Sequence, residues 1–566
     1  MWPIPRERNR YIFKGSTGAF RRKVTVSHYP RFDLGEGVLA SDRELHRRWK
    51  AFHAAARSHS SSTLTRLVGP LLGDDTRRRR LAQSLESRLR GNQLPALPSA
   101  PPIESLLVPA PPMSATPDML ARCAVVSIDT AALAVSFDDL DAAVANSEWL
   151  LIAPSHTDAE SALATLWPMR DNADVVFADE LRDHIPLFKP PVVGPLTLLG
   201  MNVIGRPALL RTATIRAIGG FARAAASACD HDVYLRLQEA GARFVHVPVT
   251  IPVDTSHGTA TTDDTQAVVS AAFARRGLPA VVTSVRPDGL VSWEVTLTET
   301  PLVDIIIPTR DRLDLLERCI NSVEGRSTYP NYRITILDND SVDPATLAYF
   351  ATTPHRVVPC PGPFNYAAIM NRGVASTTAP LIVTLNNDTV IETPDWLERM
   401  VGVTLLAGVA ATGCRQVDQF GHHEHDGVVI APYPQHLIYG RNWFLDDYLV
   451  NARREVAAVT GAVTMVRRSA WEAVGGMDED FAVVMNDVDL CLRLQNNGGA
   501  VVIVPDVVIR HDASSSRGRL DPLVDRNRFV RRWDIFGTFR DPYFPAALQL
   551  LGAHMVVREP RLDHTS

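Results

Sequence analysis

Short apolar bursts alternate along the chain with longer stretches of helical spacing. Trp149–Ala153, Asp174–Ala178 and Phe244–Pro248 make one series, and Val303–Pro308, Tyr332–Leu337, Leu381–Leu385 and Val501–Ile509 make a second, cleaner one. Apolar runs of this length bounded by turn residues predict buried strands, while intervening patterns such as Leu313–Val323 and Leu490–Gln495 predict helices. Strands alternating with helices predict an α/β protein with mixed, mainly parallel sheets. The two series are also related to each other. GRPALLRTATIRAIGGFA (205–222) matches GAVTMVRRSAWEAVGGMD (461–478), and CDHDVYLRLQEAGARFVHVP (229–248) matches NDVDLCLRLQNNGGAVVIVP (486–505). A repeat in which the Gly-Gly pair and the D-x-D-x-x-L-R-L-Q spacing recur together predicts two copies of one domain.

The region before the first series has a different character. Residues 1–92 hold twenty Lys/Arg against eight Asp/Glu, although the whole chain of 566 residues has a net charge of −5. This basic N-terminal region, 1–93, predicts a helical or partly disordered segment, either a solvated leader or a surface for anionic lipid headgroups. No aromatic residue interleaves with the basic ones of the Arg77–Arg90 stretch, which disfavours nucleic acid there. Residues 94–120 are rich in Pro, Ala and Ser and predict a semi-rigid linker. Hydrophobic residues make up 46% and charged residues 21%, which excludes wholesale disorder. No run approaches the length of a membrane-spanning helix, and the polar, basic start shows no secretory signal. Six scattered cysteines without a C-x-x-C pair disfavour a zinc ribbon or disulfide scaffold. Together these features predict a cytoplasmic protein, with peripheral attachment to the inner face of the membrane through its basic head as the further possibility.

The second series delivers polar residues to its strand ends, where ligands of α/β sheets bind. Val303–Pro308 runs into Thr309-Arg310-Asp311, and Tyr332–Leu337 runs into Asp338-Asn339-Asp340-Ser341. An aspartate at such an end accepts hydrogen bonds from a nucleotide, though an isolated one equally serves as a turn residue. Leu381–Leu385 ends in Asn386-Asn387-Asp388, whose carboxylate could hold Mg²⁺ or Mn²⁺ against a diphosphate. Asp487 and Asp489 open the helix Leu490–Gln495; they could favour its positive end, or Asp487 could act as a general base. His511 follows Val501–Ile509, placed to complete a metal shell beside a carboxylate. No P-loop and no G-x-G-x-x-G is present.

In this order the motifs resemble those of inverting family 2 glycosyltransferases with a GT-A fold, especially bacterial rhamnosyltransferase-like members that build cell-surface polysaccharides. The resemblance covers nearly all of 302–545 and rests on VDIIIPTRDRLDLLERCINSV, ILDNDS, FNYAAIMNRGV, PLIVTLNNDTVIETPDWLERMV, VTGAVTMVRRSAWEAVGGMDEDF, NDVDLCLRL and RHDASSSRG. It implies tandem GT-A-like, Rossmann-like domains, with a catalytic domain at 300–545 and a C-terminal tail at 546–566. It further implies a nucleotide-diphosphate sugar as donor, a glycan or lipid-linked acceptor, and a divalent metal, Mg²⁺ or Mn²⁺. By matching position, Pro308, Thr309, Asp338, Asp340, Asn371 and Asn387 would bind the donor. Asp388 and His511 would hold the metal, Asp487 would be the catalytic base, and Asp489 and Trp443 would face the acceptor. Asn386 and Asn486 stand where the family usually has acidic residues. Trp396 and Trp471 sit at core-like spacings and predict packing.

The first copy, 121–290, resembles the back half of the same domain through DVVFADE (174–180) and PLFKPPVVGPLTLLGMNVIG (186–205). Its counterpart of the metal strand reads Leu150-Leu151-Ile152-Ala153-Pro154-Ser155-His156, without a carboxylate. Too few residues precede Trp149 for two β-α units. Asp230, Asp232 and His257 persist, yet without a donor cradle this copy is expected to be non-catalytic. The rival readings are a glycan-binding scaffold in which both copies are inert, and a sugar nucleotidyltransferase, which would need a Gly-rich phosphate loop.

Overall fold

The computed structural model describes residues 114–128, 136–155, 157–182, 185–253, 260–437, 447–512, 522–551 and 554–557. The basic head, most of the Pro-rich linker, His156, His257, Trp443 and the last residues of the tail lie outside the described residues.

Two sheets follow one another. The first contains β1 (Cys123–Ser127), β2 (Trp149–Ala153), β3 (Val175–Arg182), β4 (Ile185–Leu187), β5 (Ala208–Arg211) and β6 (Phe244–Val253). Its order is β1-β2-β5-β3-β4, with β6 also paired to β3. A hairpin of β7 (Ala280–Val285) and β8 (Val291–Val295) leads to the second sheet. That sheet contains β9 (Val303–Thr309), β10 (Tyr332–Asp338), β11 (Arg356–Pro359), β12 (Leu381–Leu385), β13 (Thr389–Ile391), β14 (Val409–Val417) and β15 (His423–His425). A side ribbon of β16 (Val428–Ile430) and β17 (Pro434–His436) intervenes before β18 (Arg454–Glu455), β19 (Val463–Arg467) and β20 (Ala500–His511) return to the sheet. Its order is β11-β10-β9-β12-β19-β14-β20-β13, with β15 on β14 and β18 on β20.

The sheets superimpose in plan. Both β1-β2-β5-β3 and β9-β12-β19-β14 run parallel, antiparallel, antiparallel, and in each copy the last strand also carries a parallel neighbour, β6 or β20. The balance is less parallel than the alternation of strands and helices suggests, because β5 and β19 return antiparallel through the middle of each sheet. Among the described residues the first sheet has no counterpart of β10 and β11. Each central strand is apolar because both its faces are covered; β2 and β12 are buried at all five positions.

The copies share one apolar core, which runs from Leu150 and Phe177 through Leu198 and Trp293 to Val463 and Val502. A buried polar joint crosses the same boundary. Leu196 and Thr197, in the first turn of the helix Pro195–Gly200, donate their N–H groups to the Glu455 carboxylate at 2.8 and 3.0 Å, and the Thr197 hydroxyl adds a bond of 2.7 Å. A helix N-terminus leaves such donors without partners, and a carboxylate both satisfies them and suits the dipole. Gly194 makes this possible, since a Cβ there would overlap the Glu455 side chain.

Candidate active site

Three loops at the carboxyl edge of the second sheet are sewn together by side chains. Asn339 N–H donates to the Thr309 carbonyl (2.9 Å), and Asn387 Nδ2 donates to Thr309 Oγ1 (3.1 Å). Asp311 N–H donates to Ser341 Oγ, while Asp311 Oδ1 accepts from the N–H groups of Val342 and Asp343. Asp338 Oδ1 accepts from Ser341 N–H, and Asp340 Oδ2 accepts from Gly362 N–H. Asp311, Arg312 and Asp340 hold positive φ, a conformation that is costly for a non-glycine residue and is concentrated here at strand ends. Pro308, Thr309, Asp338, Asp340 and Asn387 are thereby gathered on one edge.

Asp388 lies one residue further along and is 2% exposed. Antiparallel pairing of β13 with β20 sets Thr389 opposite His511, and His511 Nε2 lies 3.3 Å from Asp388 Oδ1. A buried carboxylate beside an imidazole is an oxygen-plus-nitrogen donor set: the carboxylate suits Mg²⁺ or Mn²⁺, and the imidazole favours the transition metal Mn²⁺ of the two. Among the described residues no cluster of three or more His, Cys, Asp or Glu side chains gathers for a metal.

The same edge holds Asp487. Asn386 N–H donates to the Ala462 carbonyl, and Gly461, the residue before Ala462, donates its N–H to Asp487 Oδ2 at 2.8 Å. Val488 N–H donates to Asp487 Oδ1 at 2.8 Å. Asp487 makes no ion pair among the described residues. It opens α2 (Asn486–Asn496), whose preceding residue Met485 has a left-handed φ of 65°.

Two expectations change at this point. Asp489, assigned to the acceptor, is fully buried and spoken for. Arg493 Nε donates to Oδ2 at 2.7 Å, and Arg532 Nη1 and Trp533 Nε1 donate to Oδ1 at 2.9 and 3.0 Å. Its role is to fasten α2 to the helix Leu523–Arg532. Asn371, grouped with the donor contacts, has its amide engaged with the loop after Gly476: Nδ2 donates to the Met477 carbonyl and to Glu479 Oε1, and Oδ1 accepts from Met477 N–H. It positions that loop. Trp443 lies outside the described residues. Trp396 and Trp471 are buried in packing, as their spacing predicts.

The register of the first sheet allows a residue-by-residue comparison. β5 and β19 place Pro154 and Ser155 where Asn386 and Asn387 stand. Asp230, which opens α1 (Cys229–Glu239), is the counterpart of Asp487. Instead of backbone donors it meets Arg206 Nε at 2.9 Å and Asn202 Nδ2 at 3.0 Å. Arg206 is the counterpart of Ala462. The next strand differs too. Glu180, 1% exposed, binds Arg182 and Lys189 at 2.6 Å each, and these cations outweigh burial and hold its carboxyl below the ordinary range. Its counterpart Gln416 and the cross-strand neighbour His425 are each 1% exposed, and among the described residues none of their side-chain nitrogens or oxygens has a hydrogen-bond partner. Burial, and then the nearby His436, His511 and Arg454, push the His425 pKa far down, so the ring is neutral. Sequence reasoning passed over Gln416 and His425; only the register brings them together.

The family model described as glycosyltransferase like family 2 matches residues 301–533. An uncharacterized protein, y4gI, from Sinorhizobium fredii is 30% identical over 396 residues, covering 64% of this chain and 43% of that protein. The O-antigen biosynthesis protein RfbC of Myxococcus xanthus is 30% identical over 430 residues, covering 69% of this chain and 32% of that protein. The chain therefore spans less than half the length of these relatives. Among solved structures, a mannosyltransferase from Pyrobaculum calidifontis in complex with GDP-Man and Mn2+ aligns at 20% identity and a TM-score of 0.30, over 39% of this chain and 59% of that one. Residues 301–533 are a family 2 glycosyltransferase domain.

Proposed function

We propose that this protein transfers a sugar from a nucleotide-diphosphate donor to a hydroxyl of a cell-surface polysaccharide or lipid-linked glycan, with inversion at the anomeric carbon. The observation that carries this reading is Asp487, held by two backbone N–H groups and, among the described residues, by no cation, beside the strand end that bears Asp388. A base must be unencumbered by a neighbouring positive charge if it is to accept a proton. In the transfer, Asp487 takes the acceptor's hydroxyl proton as the acceptor oxygen attacks the anomeric carbon. The bond from that carbon to the diphosphate oxygen breaks, and the nucleotide diphosphate departs with the electron pair. Thr309, Asp338, Asp340 and Asn387 line the donor side; Asp338 and Asp340 each commit only one oxygen within the loops and offer the other to base or ribose.

Asp388 and His511 would hold the divalent cation. When bound, it neutralises charge on the diphosphate, an effect worth several kcal/mol. The first copy is read as a partner that performs no chemistry, because Arg206 occupies Asp230 and the sequence Pro154-Ser155-His156, which follows β2, offers no carboxylate where the second copy has Asp388. Among the described residues no helix is long and apolar enough to cross a membrane. Attachment through the basic head to anionic lipid remains part of the proposal. The test is a screen of nucleotide sugars for donor hydrolysis with Mn²⁺ or Mg²⁺. Turnover that chelation with EDTA removes supports the reading, and a protein inert toward every donor, with and without glycan acceptors, contradicts it.

A further inference from the structure

Burying a polar side chain without a partner costs about 1–3 kcal/mol, so two such groups side by side call for an explanation. Gln416 and His425 are that pair. They are Cα partners across β14 and β15, so their side chains leave the same face of the sheet. Gln416 is also paired with Ile509 on β20, and His511 lies two residues beyond Ile509, hence on that face as well. The neutral His425 ring offers one donor and one acceptor, and the Gln416 amide offers two donors and an acceptor. Neither group carries charge.

The first copy shows where this point of the sheet looks. Both copies have a register shift at the same place, between Ala178 and Asp179 and between Cys414 and Arg415, which fixes Glu180 as the counterpart of Gln416. Glu180 lies against Gly205, where a Cβ would collide with its carboxylate. Gly205 is the counterpart of Gly461, the residue that holds Asp487. In the first copy this space is filled by the protein's own pair, Glu180 with Lys189, and Lys189 Nζ also donates to the Ile204 carbonyl. In the second copy the space at Gly461 is met by Tyr366 and Asp487, and among the described residues no hydrogen-bond partner meets Gln416 or His425. The pair therefore sits between the residue proposed to hold metal and diphosphate, His511, and the residue proposed to take the acceptor's proton, Asp487. A sugar in transit must occupy that interval.

We propose that Gln416 and His425 recognise hydroxyl groups of the transferred sugar and so set donor specificity. This rests on the glycosyltransferase reading above. It concerns the sugar, whereas Thr309, Asp338 and Asp340 concern the nucleotide.

The test compares full-length wild type with Gln416→Met and His425→Leu, in the presence of Mn²⁺. Probes are UDP, GDP and dTDP, and UDP-glucose, UDP-N-acetylglucosamine, GDP-mannose and dTDP-rhamnose. Wild type should bind one nucleotide sugar more tightly than its bare nucleotide. Each variant should lose about five- to tenfold of that difference, the scale of one neutral hydrogen bond, while binding the bare nucleotide unchanged. Because each substitution removes an unsatisfied buried group, neither variant should melt lower than wild type; should one fail to fold, Gln416→Asn and His425→Gln carry the same comparison. Variants that keep the full difference overturn the assignment and leave the transferase reading standing. A wild type that binds none of the nucleotides or nucleotide sugars overturns both.

Discussion

The two sheets place an aspartate at the same point, the first turn of α1 or α2, and surround it differently. Asp487 receives N–H groups from Gly461 and Val488; Asp230 receives the guanidinium of Arg206 and the amide of Asn202. The partners one turn on are nearly unchanged. Asp232 binds Arg236 and Asp489 binds Arg493, each four residues along its helix at 2.7 Å, and each arginine also donates to a backbone carbonyl, Ile218 or Val474. Gln238 and Gln495 reach the carbonyls of Val193 and Ala457 alike. What the copies share is the scaffold that seats the helix on the sheet. What differs is whether the polar groups facing the carboxyl edge are consumed internally. A repeated fold can keep its architecture intact while its site is filled by its own side chains.

The largest expected break in this comparison concerns the metal side. Asp388→Ala should abolish Mn²⁺-dependent donor binding, measured by calorimetry with and without EDTA, and lower transfer by at least about 10²-fold. In the sequence of the first copy His156 stands in place of Asp388, so His156→Ala should change neither. Next is Arg206→Ala, which leaves Asp230 buried beside Asn202 alone. Breaking such a pair costs about 3 kcal/mol, read as a lower denaturation midpoint, yet no donor hydrolysis should appear in an Asp487→Asn background. Gain of activity there would show the first copy to be a latent enzyme.

Glu455→Ala probes the joint between the copies. Two backbone N–H groups and the Thr197 hydroxyl lose their acceptor, and about 2 kcal/mol of stability should go with them. A transition that splits into two on melting would show that the joint couples the halves. Smallest is Asp489→Asn, which sharpens the correction made above. It should lower the melting temperature by weakening the bonds from Arg493, Arg532 and Trp533, while KM for the acceptor stays at its wild-type value below the transition. A selective rise in KM would return Asp489 to the acceptor site.

Much of this was legible in the residues. Runs such as VDIIIP and LIVTL predict fully buried strands, and their ends locate Thr309, Asp338 and Asp388 before any coordinates. The repeat was visible because Gly-Gly and D-x-D-x-x-L-R-L-Q recur together, and the shortened first copy because too few residues precede Trp149. Other features depend on long-range geometry and leave no local trace. Asp489 reads like Asp487 along the helix, two positions apart; only the packing of Arg532 and Trp533 against one of them separates the buried aspartate from the half-buried one. Arg206 is one more arginine until β5 carries it over Asp230. Gln416 and His425 become a pair through strand register, which a nine-residue spacing does not announce. The mixed character of the sheets has the same origin, since β5 and β19 read as ordinary buried strands whatever their direction.

The central claim is that chemistry belongs to the second copy alone. It is tested most directly by measuring donor hydrolysis and transfer in full-length Asp487→Asn and Asp230→Asn side by side, at matched folded fraction. The account predicts a loss of about 10²-fold or more for Asp487→Asn with donor binding retained, the scale of a missing general base, and wild-type rates for Asp230→Asn. Equal loss in both, or near-normal turnover in Asp487→Asn, would contradict it.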